Sequence, residues 1–145
     1  MKFALLALIT VLSFSACKKT TVVNETVDQA YSAIYTIDPA DWVQGQDPGS
    51  GNFFYSSTLT IPELDDIINT HGGVQVYISF DDLNAATKTY ESLPEVFDGV
   101  AYGTLHSTGS VTIDLRDAGG GSLTSPITQS ITAKVVLIDA QPLDN

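Results

Sequence analysis

The stretch that decides the fold is Val74-Gln75-Val76-Tyr77-Ile78-Ser79-Phe80. Its aliphatic residues alternate strictly with Gln75, Tyr77 and Ser79. A period of two residues is that of a β-strand, in which successive side chains point to opposite faces. The segment therefore predicts a strand that buries the face carrying Val74 and Val76.

Five further runs share this β-prone composition and are separated by clusters of turn-forming residues. They are Tyr31 to Ile37, Phe53 to Ile61, Val100 to His106, Val111 to Leu115 and Ile131 to Ile138. Short strands at this spacing are typical of a sandwich or barrel. We therefore predict an all-β fold, an antiparallel β-sandwich of about seven strands.

Two of these runs carry more specific information. Ser107-Thr108-Gly109-Ser110 separates two neighbouring runs and predicts a hairpin in which Gly109 adopts positive φ. The last run, Ile131 to Ile138, begins by alternating and becomes apolar on both faces toward its end. We expect this strand to lie in the centre of its sheet.

One segment has the period of a helix. The residues at helical spacing are Leu64, Ile67, Ile68 and His71. Pro62 fits a first helical turn and Gly72 fits a helix end. The pattern predicts one short helix, residues 62–71, which places its three aliphatic side chains across the open end of a sheet.

The N-terminus has the composition of a secretory signal. Lys2 precedes an apolar run, Phe3 to Leu12, which is shorter than the roughly 20 residues that a spanning helix needs. Small residues then precede Cys17, and this C-terminal end of the signal segment resembles a bacterial lipobox. The resemblance implies that residues 1–16 are removed and that Cys17 is lipidated. An ordinary signal peptide with an incidental cysteine is the alternative.

A lipidated Cys17 would attach the protein to a membrane without a spanning segment, because several acyl chains together anchor a protein stably. Residues 17–28 are polar and have no aromatic side chain, which suits a tether. Residues 29–145 then form a single domain. We therefore expect an outer membrane lipoprotein that faces either the periplasm or the cell surface.

The chain is strongly acidic, with 17 Asp and Glu against 6 Lys and Arg and a net charge of -11. Binding to nucleic acid requires clustered cations, whereas Lys88, Arg116 and Lys134 stand singly in the sequence. Nucleic acid is therefore disfavoured as a partner. With Cys17 acylated, no thiol remains for a disulfide or a cysteine nucleophile.

We predict no transition-metal site and no cofactor, because His71 and His106 fall in different elements without His or Cys at ligand spacing. A calcium-binding site in the acidic loops is an open alternative, although none of these loops contains the Asp-x-Asp-x-Asp-Gly pattern of calcium hands. Their alternative role is the formation of turns. The acids concerned are Asp38, Asp41, Asp47, Asp81, Asp82, Asp114 and Asp117.

Several features follow one another in a recognisable order: Trp42 before an aromatic strand, Thr60-Ile61-Pro62, Gly73 to Ile78, Leu93-Pro94, Gly109 to Ile113 and Lys134 to Ile138. This order resembles a small domain common in extracellular lipoproteins of the Bacteroidota, which also closes some collagen-like proteins. The resemblance covers most of residues 31–140. It implies a β-rich secreted module and brings no assigned activity.

The sequence contains no Gly-x-Ser-x-Gly nucleophile elbow, and Gly119-Gly120-Gly121 lacks the lysine of a phosphate-binding loop. We therefore predict that the protein is not an enzyme. A lipid-tethered polysaccharide hydrolase is the alternative, with Asp81, Asp82 or Glu91 supplying the carboxylates. Sequence alone cannot show the spacing of such a pair.

Aromatic residues cluster on both sides of the Gly-rich loop 46–52. The period of the Phe53 run turns Phe54 outward, and flat rings of this kind stack on sugars or on partner side chains. Trp42 and Phe54 are therefore the ligand-binding candidates, and their ligand would be an envelope protein or a glycan. The alternative is that Trp42 folds over Phe54 and forms a small satellite core.

These features together predict a membrane-anchored extracytoplasmic lipoprotein that serves the cell envelope as a non-catalytic binding or assembly module. A purely structural envelope protein is a further alternative.

Overall fold

The computed structural model describes residues 30–140, which form nine strands, one α-helix and one 3-10 helix (Pro39–Asp41). The strands are β1 (Ala30–Ile37), β2 (Val43–Gln46), β3 (Phe53–Thr60), β4 (Gly73–Ser79), β5 (Glu91–Ser92), β6 (Glu95–Phe97), β7 (Val100–Ser107), β8 (Ser110–Asp117) and β9 (Ile131–Ile138). The helix α1 is Asp66–His71. The predicted signal peptide (residues 1–16), Cys17 and the tether (residues 17–28) lie outside the described residues.

The strands form two antiparallel sheets that pack face to face. One sheet has the order β1-β9-β4-β5 and the other has the order β2-β3-β8-β7-β6. Side chains from both inner faces form one hydrophobic core, and Ile78 of β4 and Ile113 of β8 are fully buried in it. The architecture is the predicted antiparallel β-sandwich.

All six predicted strands are present, and their ends agree with the prediction to within two residues. Strand β9 lies between β1 and β4, as its apolar composition predicts. Gly109 has φ +80° in the two-residue turn between β7 and β8, as expected. Three short strands, β2, β5 and β6, are additional and raise the count from about seven to nine.

The helix is shorter than predicted, because it begins at Asp66 and not at Pro62. Asp65 has extended backbone and its carboxylate accepts a hydrogen bond from Ile68 N at 2.8 Å, so this residue is the N-cap. Leu64 and Ile68 are buried, as predicted, whereas Ile67 is 52% exposed. Six residues form fewer than two turns, and this short helix buries only one side.

A tight hairpin joins β6 to β7 at one end of the sandwich. Its two turn residues, Asp98 and Gly99, have φ +49° and +79°. Positive φ at both positions is the hallmark of a type I′ turn, for which Asp-Gly is a favoured pair. The hairpin places Phe97 at the rim of the sandwich, next to the segment that follows β4.

Candidate functional site

The two sequence-predicted binding residues, Trp42 and Phe54, lie on opposite faces of the five-stranded sheet. The β2–β3 register pairs Gln44 with Tyr55 and Gly45 with Phe54, so Phe54 shares the outer face with Gly45. Trp42 is only 6% exposed and belongs to the core. Its indole N–H is buried without a hydrogen-bond partner among the described residues. The structure therefore does not bring these two rings together as a stacking surface.

Phe54 is half-buried, and its ring is already covered. The Arg116 guanidinium lies 4.6 Å from the ring centroid. Asp114 holds the guanidinium at 2.7 Å and Asp47 holds it at 3.4 Å. A ligand could stack on this face of Phe54 only after Arg116 had moved away from both carboxylates.

Asp47 is itself part of a tight turn. Its Oδ1 accepts hydrogen bonds from Gly49 N and Ser50 N, each at 2.9 Å. These backbone N–H groups, with a smaller contribution from Arg116, hold the pKa of Asp47 below its ordinary value. Asp47 therefore serves the geometry of the loop 46–52.

A second group of aromatic rings lies at the end of the sandwich where β4 and β6 end. The Phe80 and Phe97 rings are stacked, with centroids 4.8 Å apart and planes inclined by 22°. Tyr102 of β7 meets Phe80 edge-on at 5.7 Å. Tyr102 is 3% exposed whereas Phe97 is 48% exposed, so the stack leads from the core to the surface.

These rings form one wall of an open depression that we call the end cleft. Its first part has a volume of about 350 Å³ and is lined by Phe80, Phe97, Asp98, Tyr102, Ile127 and Gln129. A neighbouring part of about 490 Å³ shares Phe80 and Gln129 and extends along Asp81 and Asp82. Each volume lies in the range of small-ligand pockets.

The polar groups of the end cleft fall into two sets. Asp81 Oδ2 accepts a hydrogen bond from Thr89 N at 2.6 Å, and Asp82 Oδ1 accepts one from Asn84 N at 2.8 Å. Those two carboxylates therefore order the loop that follows β4. The side chains of Asp98 and Gln129 make no hydrogen bond within residues 30–140, and they line the cleft. This second set is free to bind a ligand.

A pair of carboxyl groups lies beside Tyr102. Glu91 belongs to β5 in one sheet, and Glu95 lies opposite Tyr102 in the other sheet. Burial raises the pKa of Glu95 to about 6, and a hydrogen bond with Glu91 and repulsion from its charge add to the effect. Burial also raises the pKa of Tyr102 to about 12, with further contributions from Glu95 and Asp98.

The remaining candidate ligands of a metal ion are dispersed. His106 Nδ1 lies 2.9 Å from Asn69 Oδ1, and His71 ends α1. Within residues 30–140, no three side chains of His, Cys, Asp or Glu converge in an arrangement that could hold a metal ion. In the same residues, no helix has the length and apolar character that crossing a bilayer requires.

Comparisons of the chain with family models, with curated proteins and with solved structures give no match. The likeness to the Bacteroidota lipoprotein domain therefore stays an interpretation of the order of sequence features. The end cleft was not predicted from the sequence. The sequence does contain a signal for the β6–β7 hairpin, the turn-forming pair Asp98-Gly99. Recognising this hairpin would have placed Phe97 at the end of a strand.

Proposed function

We propose that this protein is a non-catalytic binding module of the cell envelope, tethered to the outer membrane through lipidated Cys17. Its ligand site is the end cleft. The observation that carries the proposal is the Phe97 ring, which is half-exposed and lies flat on Phe80 beside two side chains free to hydrogen-bond.

The chemistry of the end cleft favours a neutral glycan as the ligand. Aromatic faces contact the C–H groups of a sugar ring, while Asp98 and Gln129 offer acceptors and donors to its hydroxyl groups. Asp81 and Asp82 lie along the neighbouring part of the cleft, and the whole chain carries a net charge of -11. An anionic ligand would be repelled from such a surface.

The carboxyl groups support binding more than hydrolysis. A glycoside hydrolase needs two carboxyl groups roughly 5 to 9.5 Å apart, on either side of the scissile bond. Neither Glu91 nor Glu95 lines either part of the end cleft. Asp81 and Asp82 already accept hydrogen bonds from the backbone of their own loop.

The test of the ligand site compares two exposed phenylalanines. Binding of the full-length chain to neutral and acidic polysaccharides is measured by calorimetry for the wild type, Phe97→Ala and Phe53→Ala. Phe53 is the matched control, because it is 41% exposed and does not line the end cleft. We expect a neutral polysaccharide to bind, and Phe97→Ala to weaken that binding at least tenfold. Equal loss in both variants, or no binding of any polysaccharide, would refute the proposed site.

The anchor is tested separately, by fractionation of cells that produce the wild-type chain or the Cys17→Ser variant. The wild type should sediment with the outer membrane and the variant should not. Recovery of both chains in the same fraction would show that Cys17 is not an anchor, and it would leave the ligand measurement unaffected.

A further inference from the structure

The end cleft has two adjoining parts that share one wall. The first part, of about 350 Å³, contains Phe97, and the second part, of about 490 Å³, contains Leu83. Phe80 and Gln129 line both parts, so these two residues lie where the parts meet. Because both parts are open to solvent, a single ligand can extend from one into the other along this shared wall.

Each part contains one exposed apolar side chain. Phe97 is 48% exposed in the first part, and Leu83 is 41% exposed in the second. Asp82 Oδ1 accepts a hydrogen bond from Asn84 N at 2.8 Å, and this Asx turn fixes the backbone on both sides of Leu83. A sugar ring whose C–H groups covered Leu83 would therefore remove a well-placed apolar surface from water.

Each part also contains a free amide side chain. Within residues 30–140, the amide groups of Gln129 and Asn84 make no hydrogen bond. An amide carries one acceptor oxygen and two N–H donors, so it can pair with a sugar hydroxyl in either sense. Gln129 lines both parts, and a ligand that spans the two parts must pass this amide.

The two parts thus repeat one composition. Each combines an apolar side chain with an amide and with a carboxylate, which is Asp98 in the first part and Asp82 in the second. Among the residues that the structure describes, no Lys, Arg or His lines either part, so neither part attracts an anionic group. A neutral oligosaccharide presents the same ring and the same hydroxyl groups at every step, which matches two neighbouring parts of like chemistry.

We propose that the end cleft binds a neutral oligosaccharide through at least two consecutive sugar units. One unit stacks on Phe97 and the next covers Leu83, and the linkage between them lies beside Phe80 and Gln129. Leu83 is thereby a specificity-determining residue, because it distinguishes a chain of sugar units from a single sugar. This inference rests on the proposed ligand site and adds to it the smallest ligand that fills both parts.

The first experiment measures how binding depends on the number of sugar units. Fragments of one to six units are prepared by partial acid hydrolysis of each neutral polysaccharide and titrated into the full-length chain, by calorimetry for tight binders and by NMR for weak ones. We expect the dissociation constant to fall at least tenfold between one unit and three units. Short fragments are used because a polymer repeats its binding units, which raises its apparent affinity without any second contact.

The second experiment tests whether Leu83 causes this gain. Phe97→Ala, Leu83→Ala and Leu105→Ala are titrated with the single sugar and with the trisaccharide, and far-UV circular dichroism checks that each variant is folded. Leu105 is the matched control, because it is 66% exposed and lines neither part of the cleft. We expect Phe97→Ala to weaken both ligands, Leu83→Ala to bring the trisaccharide close to the affinity of the single sugar, and Leu105→Ala to bind as the wild type does.

Two outcomes would overturn this inference and leave the proposed ligand site in place. They are a single sugar and a trisaccharide that bind the wild type equally, and a Leu83→Ala variant that binds the trisaccharide as tightly as the wild type. Failure of every fragment and of every polysaccharide to bind would overturn both this inference and the ligand site on which it rests.

Discussion

Phe54 lies directly opposite Gly45 across the β2–β3 pair, and its ring occupies the space that a side chain at residue 45 would fill. A Cβ built on Gly45 would lie 2.5 Å from Phe54 Cζ. The glycine lets the ring lie flat on the sheet, where the Arg116 guanidinium covers it. Aromatic cover of a cross-strand glycine is a known stabilising device of antiparallel sheets.

We therefore expect Gly45→Ala to destabilise the fold by about 1 to 2 kcal/mol, because the Phe54 ring must leave its position over the sheet. In the Phe54→Ala background the same substitution should cost almost nothing, since the new methyl group then has room. Urea denaturation of the four proteins of this double-mutant cycle gives the coupling free energy between Gly45 and Phe54. Additive effects would show that the ring does not rest on Gly45.

Trp42 and Phe54 should respond differently to truncation. Trp42→Ala removes a core ring that is 6% exposed, and we expect a loss of about 3 kcal/mol or more. Phe54→Ala removes a half-exposed ring and should cost about 1 kcal/mol. Urea titrations followed by far-UV circular dichroism suit both variants, because Trp42 is the only tryptophan. A Trp42→Ala variant of unchanged stability would place this ring outside the core.

The Asp98-Gly99 turn sets the position of Phe97, and it can be tested at its glycine. Gly99 has φ +79°, a conformation that costs an alanine about 1 kcal/mol. Gly73→Ala is the control, because the nearest atom to its added Cβ would be 3.7 Å away and its φ is not positive. In thermal unfolding we expect a lower Tm for Gly99→Ala and little change for Gly73→Ala. Equal Tm values for the two variants would argue against the type I′ geometry.

The sandwich could be predicted from the sequence because its long strands carry their own period. Val111 to Leu115 alternate because buried residues of β8 take turns with partly exposed ones. In β4, Val76 and Ile78 are buried and alternate with the partly exposed Gln75 and Tyr77, although Ser79 is buried as well. The short strands β5 and β6 have two and three residues, too few for any period to be visible. The helix start was misplaced because Pro62 is an acceptable first helical residue and Asp65 is an acceptable N-cap, and only the hydrogen bond from Ile68 N to Asp65 selects the later start.

The site was harder to predict, because it depends on contacts between distant segments. Trp42 and Phe54 are near in sequence but lie on opposite faces of one sheet. Phe80 and Phe97 are 17 positions apart, and they stack only because the chain crosses from one sheet to the other between β5 and β6. Sequence proximity therefore selected the wrong pair of rings to lie together.

The Glu91–Glu95 pair should make stability depend on pH in a defined window. The pKa of Glu95 rises from its ordinary value of 4.5 to about 6 in the folded protein. Between these values the folded state holds the proton and the unfolded state has lost it. The contribution of Glu95 to the free energy of unfolding is therefore most favourable below pH 4.5, and this contribution is lost as the pH rises through about 6.

The rise in the pKa of Glu95 corresponds to at most about 2 kcal/mol in the free energy of unfolding. Because the pair is partly solvated, we expect an effect of about 1 kcal/mol. Replacing Glu95 with glutamine keeps a neutral group at all pH values. We therefore expect Glu95→Gln to be more stable than the wild type by about 1 kcal/mol at pH 7.5, and to match it near pH 4.

Urea denaturation from pH 4 to 7.5 measures the difference between the variant and the wild type. Glu63→Gln is the control, because Glu63 is exposed and its side chain makes no hydrogen bond or ion pair within residues 30–140. At pH 7.5 we expect the gain in stability to be larger for Glu95→Gln than for Glu63→Gln. If Glu95→Gln were instead less stable than the wild type at pH 7.5, the ionised carboxylate would have a stabilising partner, and the repulsion between Glu91 and Glu95 would be refuted.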